Sequence, residues 1–372
     1  MGKTVVVLGG SYAGLGVAHR LLKYTLPRVK DLKIVLISKN SHLYWNIASV
    51  RAIVPGAVKE DELLQAIEPG FAQYPRENAE FVIGAATGVD AASKTVKVAT
   101  AAGDRDVPYD YLVIATGTDS ADKLMPWKAA GTHDEILSSL HQTAQRVDAA
   151  SHIVVAGAGP TGVEVVGELG HAYKGQKTIV LLSGSAELVN GDSIGRSVER
   201  ELAKLGVDVR KGVKAMASEA LPDGTTAVTL SSGDTITTDL YLATTGMVPN
   251  SGFLPPKWLT ERGFVDVDDE FRVKAAKDTW ALGDIVCRPS AAWVHVDPHS
   301  AGIAKNIEAA LSDKPQQAVK GMPVDAIICT TGRDRGVGRV SFVPIPSLVC
   351  WALKGRTLSI EKASGYITGK HF

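Results

Sequence analysis

Cysteine is scarce in this chain: its 372 residues contain three, Cys287, Cys329 and Cys350, and no two form a C-x-x-C pair. That count argues against a disulfide framework, fits a reducing compartment and leaves no dithiol to relay electrons. The simplest reading of each is a small buried apolar side chain. Only Cys287, close to Gly283-Asp284, falls near a motif with chemistry in it. Charge of one sign is lacking too: Lys plus Arg and Asp plus Glu number 40 each, so no net field draws the chain to nucleic acid or anionic lipid. No uninterrupted apolar run nears the roughly 20 residues that span a bilayer. No basic segment followed by an apolar run precedes the strand signal at Thr4. The expectation is a cytoplasmic protein, with peripheral attachment to a mitochondrial or other lipid surface left open.

What the chain has is glycine, at two places where an apolar strand passes directly into a helix of small residues. The first reads Val5-Val6-Val7-Leu8-Gly9-Gly10-Ser11-Tyr12-Ala13-Gly14, the second Ile153-Val154-Val155-Ala156-Gly157-Ala158-Gly159-Pro160-Thr161-Gly162. Such a turn lets backbone approach a pyrophosphate and aims the free N–H groups and positive dipole end of a helix at it. A lone G-x-G-x-x-G also serves purely to pack helix on strand, so the duplication carries the weight: one turn suggests a dinucleotide, two suggest a pair. Gly157, Gly159 and Gly162 fill all three positions of the second turn. The first has Ser11 in the middle position, a side chain where phosphate should come nearest.

A chain of this length divides into two or three domains, and its strand and helix signals alternate as parallel sheets require. Strands are expected at 4–8, 33–37, 80–83 and 111–115, with a helix at 14–24 and a hairpin near 95–98. The plan repeats with strands 153–156 and 178–182 around a helix at 161–173, then a helix at 193–205 and strands at 207–210, 227–230 and 240–244. Two shorter motifs tie the units together. Ala115-Thr116-Gly117 and Thr244-Thr245-Gly246 each close an apolar strand, and Gly283-Asp284 follows Thr279-Trp280-Ala281-Leu282. A carboxylate at Asp284 suits a polyol hydroxyl such as a ribityl, and a helix cap is the plainer role.

In their order and over nearly the full length, these motifs resemble the pyridine-nucleotide flavoprotein reductases with two dinucleotide domains. The likeness is to the ferroptosis-suppressor (AMID) branch, related to type II NADH dehydrogenases and apoptosis-inducing factor. Ser41 to Arg51 looks like that branch's segment over the flavin, and Gly332 to Gly338 and Leu353-Lys354-Gly355-Arg356 look like its C-terminal domain. The resemblance implies an α/β fold of two Rossmann-like, glutathione-reductase-like domains plus a small C-terminal α+β domain. Residues 1–117 and 247–315 would bind FAD, 118–246 NADH or NADPH, and 316–372 would form the interface domain.

It also implies roles. Gly9, Gly10, Ser11, Ala13, Gly14, Thr116, Gly117, Gly283 and Asp284 would hold FAD, with Arg51 countering its pyrophosphate and Val82 meeting the adenine through backbone. Gly157, Gly159, Thr161, Gly162 and Gly246 would hold the nicotinamide dinucleotide, and Glu164 would orient the carboxamide, although a surface Glu in a first helical turn is favoured by the dipole anyway. Lys354 would stabilise a reduced-flavin or quinol anion, unless it is simply a solvated lysine. Glu168 follows one turn after Glu164 with no role assigned. Lys39 and Ser183, at the ends of the second strand of each unit, are the remaining cofactor contacts. Neither strand end carries an acid to grip a ribose 2′-hydroxyl, and at Leu182-Ser183-Gly184-Ser185 no Arg or Lys adjoins to welcome a 2′-phosphate. NADH and NADPH stay open. His295 and His299 fall near the isoalloxazine. Their spacing also suits a metal on a helix, but Pro298 between them argues against a continuous turn, and no metal site is expected.

The resulting expectation is an FAD-dependent NAD(P)H oxidoreductase passing electrons to a small-molecule acceptor, a quinone first. A tailoring flavoprotein of specialised metabolism and a redox-signalling protein of the apoptosis-inducing-factor kind are the alternatives; the neutral charge balance disfavours the DNA association of the last. Pro344 to Leu353, rich in Ile, Leu, Val and Trp, suits lipid, quinone, a core or the interface of a homodimer.

Overall fold

A computed structural model describes residues 2–128, 131–288 and 292–372. The apolar runs beside the first turn become the middle of a five-stranded parallel sheet. Its order is Thr279–Ala281, Tyr111–Ile114, Lys3–Leu8, Leu32–Ser38, Ala79–Ile83. Parallel strands covered on both faces read as continuous rather than alternating apolar sequence, and Val5, Val6 and Val7 are each fully buried. Burying such a side chain contributes about 1.5–3 kcal/mol. The edge strand Thr279–Ala281 comes from far along the chain, so the first unit closes only after the second has been inserted into it.

The second unit has a four-stranded parallel sheet in the order Asp208–Lys211, Thr178–Ser183, His152–Ala156, Leu240–Ala243. The chain enters and leaves it beside the antiparallel pair Thr118–Ser120 and Met247–Pro249. Each unit carries a three-stranded antiparallel meander: residues 85–108 in the first, where a single hairpin was expected, and 215–238 in the second. The C-terminal portion is a meander of Ala326–Thr330, Gly336–Val340 and Val343–Ile345 followed by short helical turns.

Two helices differ from expectation. The first begins at Tyr12, runs as α-helix to Arg20 and widens into a π-turn over Leu21–Thr25. The helix Val296–Leu311 runs straight through Pro298. The proline occupies the first turn, where the missing N–H would have had no intrahelical partner.

Both glycine turns are built alike. Gly9 and Gly157 take φ of +113° and +111°, and a Cβ on Gly14 or Gly162 would lie 1.8 Å from the carbonyl oxygen of Gly9 or Gly157 respectively. The first and third glycines are thus fixed by torsion and contact. The middle positions are extended, Ser11 at φ −105° and Gly159 at φ −70°, so the serine is conformationally at ease.

Candidate functional site

A cavity of about 1130 Å³ runs from the first turn to the second. Along its walls lie Gly9, Gly10, Ser11, Ala13, Lys39, Thr116, Gly117, Gly283 and Asp284 from the first unit, Thr161 and Glu164 from the second, and Lys354 from the C-terminal portion. Gly14, Gly157, Gly159 and Gly162 shape the turns behind this lining. Residues of both units and of the C-terminal portion therefore meet in one space.

At the first turn, Gly10 packs so tightly that a Cβ would lie 2.7 Å from the Ser38 side chain. Gly283, at φ +80°, brings Asp284 to the cavity beside Ala13. The N-cap of its 3-10 turn is Leu282, so Asp284 is no cap; its carboxylate faces Lys128 Nζ at 2.5 Å. Asn250 braces the neighbouring loop, donating from Nδ2 to the Thr116 carbonyl at 3.0 Å while its own carbonyl accepts from Thr116 Oγ1 at 2.9 Å. Sequence reasoning passed over Lys128 and Asn250, which lie in no motif.

At the second turn the helix Pro160–Ala172 presents two buried carboxylates one turn apart. Glu164 accepts from the Thr330 backbone N–H at 2.9 Å and from Lys354 Nζ at 2.5 Å, and Lys354 also donates to the Ile328 carbonyl at 3.2 Å. Neither is the solvated surface charge that was the plainer alternative. Burial opposes the charge on Lys354, but the Glu164 carboxylate outweighs it and holds the ammonium above its ordinary pKa. Asn190 lines the cavity from a strained loop in which Val189 and Asn190 both have positive φ, 56° and 58°. Asn tolerates that region and Val does not, so the surrounding structure enforces it.

The structure redirects several expected contacts. Arg51 does not reach the cavity: Nε and Nη2 donate to the two oxygens of Glu168, each at 2.8 Å, and the guanidinium also donates to the carbonyls of Gly355 and Arg356. A cation so neutralised and only 3 % exposed cannot counter a pyrophosphate. The Val82 side chain is buried in the sheet, and Gly84, Ala85 and Ala86 just beyond it line that end of the cavity. His299 is buried against Phe271, at a ring distance of 4.5 Å, and His295 takes the cavity position. The two imidazoles stack 5.9 Å apart. Among the described residues no cluster of three His, Cys, Asp or Glu is placed to hold a metal ion. Ser183 turns its hydroxyl back to the Ser185 carbonyl at 2.9 Å, and Gly246 shapes its loop at φ +83° outside the lining. All three cysteines are free thiols, and burial pushes that of Cys329 well above its usual range.

The cavity suits a large polar ligand. Asn40 and His295 line it, and their Nδ2 and Nδ1 atoms are buried without a partner among the described residues, a state that polar groups rarely keep. Two helix N-termini open beside glycine turns too close-packed for a side chain at Gly9 or Gly157, as binding of two pyrophosphates demands.

Residues 3–319 match the pyridine nucleotide-disulphide oxidoreductase family, and the chain belongs to it. It is an FAD-dependent oxidoreductase whose second cofactor is NADH or NADPH. Over 371 residues it is 37 % identical to oxidoreductase ptaL of Pestalotiopsis fici, covering 99 % of both chains. It is 27 % identical to oxidoreductase phnG of Penicillium herquei, covering 100 % of this chain and 97 % of that one. Identity to ferroptosis suppressor protein 1 of Homo sapiens is 23 %, over 96 % of this chain and 94 % of that protein. The sulfide:quinone oxidoreductase of Aquifex aeolicus shares the fold, with a TM-score of 0.79 at 18 % identity, covering 99 % of this chain and 92 % of that one.

Proposed function

We propose that this oxidoreductase delivers electrons from NAD(P)H through FAD to a quinone. FAD, when bound, supplies the two-electron acceptance and release that no side chain here provides. The first turn, Thr116, Gly117 and Asp284 hold it, and the second turn with Thr161 and Asn190 holds the nicotinamide dinucleotide. Glu164 orients the carboxamide.

The observation that carries the acceptor is the wall around Lys354. Val324, Ile327, Ile328 and Leu353 line the cavity with Lys354, and the other charged groups on that wall, Arg339, Asp192 and Asp325, are paired with one another. An aromatic dione fits the apolar part of this wall, and Lys354, which faces the cavity although paired with Glu164, can donate a hydrogen bond to its oxygen as negative charge develops there. Leu353 on this wall is 58 % exposed, and the same C-terminal portion exposes Phe342 and Leu348 as well, 92 % and 72 %, which suits a lipid-borne acceptor and peripheral attachment.

Greater identity to ptaL and phnG over their whole lengths favours a second reading, a dedicated small-molecule substrate as acceptor. Anaerobic stopped-flow separates the two. Protein purified with its flavin should bleach on mixing with NADH or NADPH and recolour with short-chain benzoquinones faster than with dioxygen. A colourless protein, or no bleaching by either nucleotide, overturns the flavin and donor placements. Quinone reoxidation no faster than that by dioxygen overturns the quinone.

A further inference from the structure

The strand Thr178–Ser183 ends in Leu182-Ser183-Gly184-Ser185, without the carboxylate that would grip an adenosine 2′-hydroxyl and repel a phosphate in its place. The Ser183 hydroxyl is committed to its own turn, donating to the Ser185 carbonyl at 2.9 Å. No basic residue adjoins in sequence, but one adjoins in space. Lys211 registers opposite Ser183, and the chain then continues alongside the strand end: Gly212 N–H donates to the Ser185 carbonyl at 3.2 Å and Val213 N–H to the Ser183 carbonyl at 2.8 Å. These bonds carry Lys214 across the end of the strand. A Cβ at Gly184 would lie 2.7 Å from Lys214 Cγ and 3.0 Å from its Cε, so the aliphatic stem rests on the glycine.

The ammonium is uncommitted. Arg210 and Lys211 pair with Asp208 and Glu199, whereas the Lys214 side chain makes no hydrogen bond or ion pair among the described residues; only its backbone is bonded, the N–H donating to Ser231 Oγ at 3.0 Å and the carbonyl accepting from Ser231 N–H at 2.8 Å.

We propose that Lys214 selects NADPH over NADH by pairing with the 2′-phosphate, an inference that rests on placement of the nicotinamide dinucleotide at the second turn. An ammonium at this point gains a charge-assisted contact from a phosphate and little from a hydroxyl. Gly184 is part of the device, because any side chain there would push the lysine stem off the strand end.

The test is calorimetric titration of the purified flavoprotein with adenosine 2′,5′-bisphosphate and with 5′-AMP, probes that carry the adenosine end alone. The bisphosphate should bind at least about tenfold tighter, the difference should vanish in Lys214→Ala and persist in Lys214→Arg, and added salt should erode it. Equal binding of the two probes, or a preference that survives Lys214→Ala, overturns the role of Lys214. Binding of neither overturns the placement of the donor nucleotide, and the inference with it. Anaerobic bleaching should show the matching loss of kcat/KM for NADPH, not for NADH, in Lys214→Ala.

Discussion

Ser11 and Gly159 occupy equivalent places in the two turns, and both backbones are extended there. A glycine in that position is therefore a matter of ligand clearance, whereas Gly14 and Gly162 answer to a carbonyl oxygen of their own turn. Ser11→Gly should leave flavin content unchanged. Gly14→Ala should cost about 1–3 kcal/mol of overpacking at the cradle and weaken flavin retention about tenfold or more, read as flavin absorbance per protein against thermal stability. The sequence displays glycine spacing directly, which is why both turns are legible in it. It does not display which of three glycines bears the constraint, because that depends on where a carbonyl oxygen falls.

The helix Pro160–Ala172 carries Glu164 and Glu168 one turn apart, and the structure gives each a different cation from a distant segment. Arg51 lies 117 residues from Glu168 and Lys354 lies 190 from Glu164. No spacing rule connects such pairs, and a basic residue following a flavin-like segment was naturally assigned to phosphate. Lys128 on Asp284 and Lys214 on Gly184 were out of reach for the same reason, whereas the strands beside the turns were readable from continuous apolar runs. Glu168→Leu should strand a buried guanidinium and lower stability by about 3–5 kcal/mol, measured by urea unfolding. Adding Arg51→Met should recover most of that loss, which a purely catalytic role for the pair would not produce.

Across the whole molecule, two buried histidines fasten distant parts of the chain to the first unit. His19 packs against Phe71, Tyr74 and the C-terminal Phe372, and His299 against Phe271. Burial lowers the His19 pKa to about 4, the nearby Ile367 backbone opposing the effect and Lys23 adding to it. Burial likewise lowers that of His299 to about 4, helped by His295 and Arg288. Between pH 6.5 and 4 the unfolded chain thus binds protons that the native protein refuses, and stability falls as the pH drops. Moving from pH 7 to pH 5 should remove about 2 kcal/mol through His19 alone. Urea midpoints at the two values check this, and a His19→Phe variant should flatten the slope. The discontinuous first sheet was foreshadowed by Gly283-Asp284 returning late in the chain. The meanders that flank both sheets were only half visible, because short polar strands such as Gly103–Pro108 lack an apolar period.

The paired anchoring of Glu164 and Glu168 bears on how turnover is timed. A helix pinned at both carboxylates to other parts of the chain cannot swing shut over an arriving nucleotide and swing open to release it. If the nicotinamide dinucleotide lies at the second turn as proposed, its exchange then depends on the grip at the adenosine end, where Lys214 stands, more than on movement of this helix.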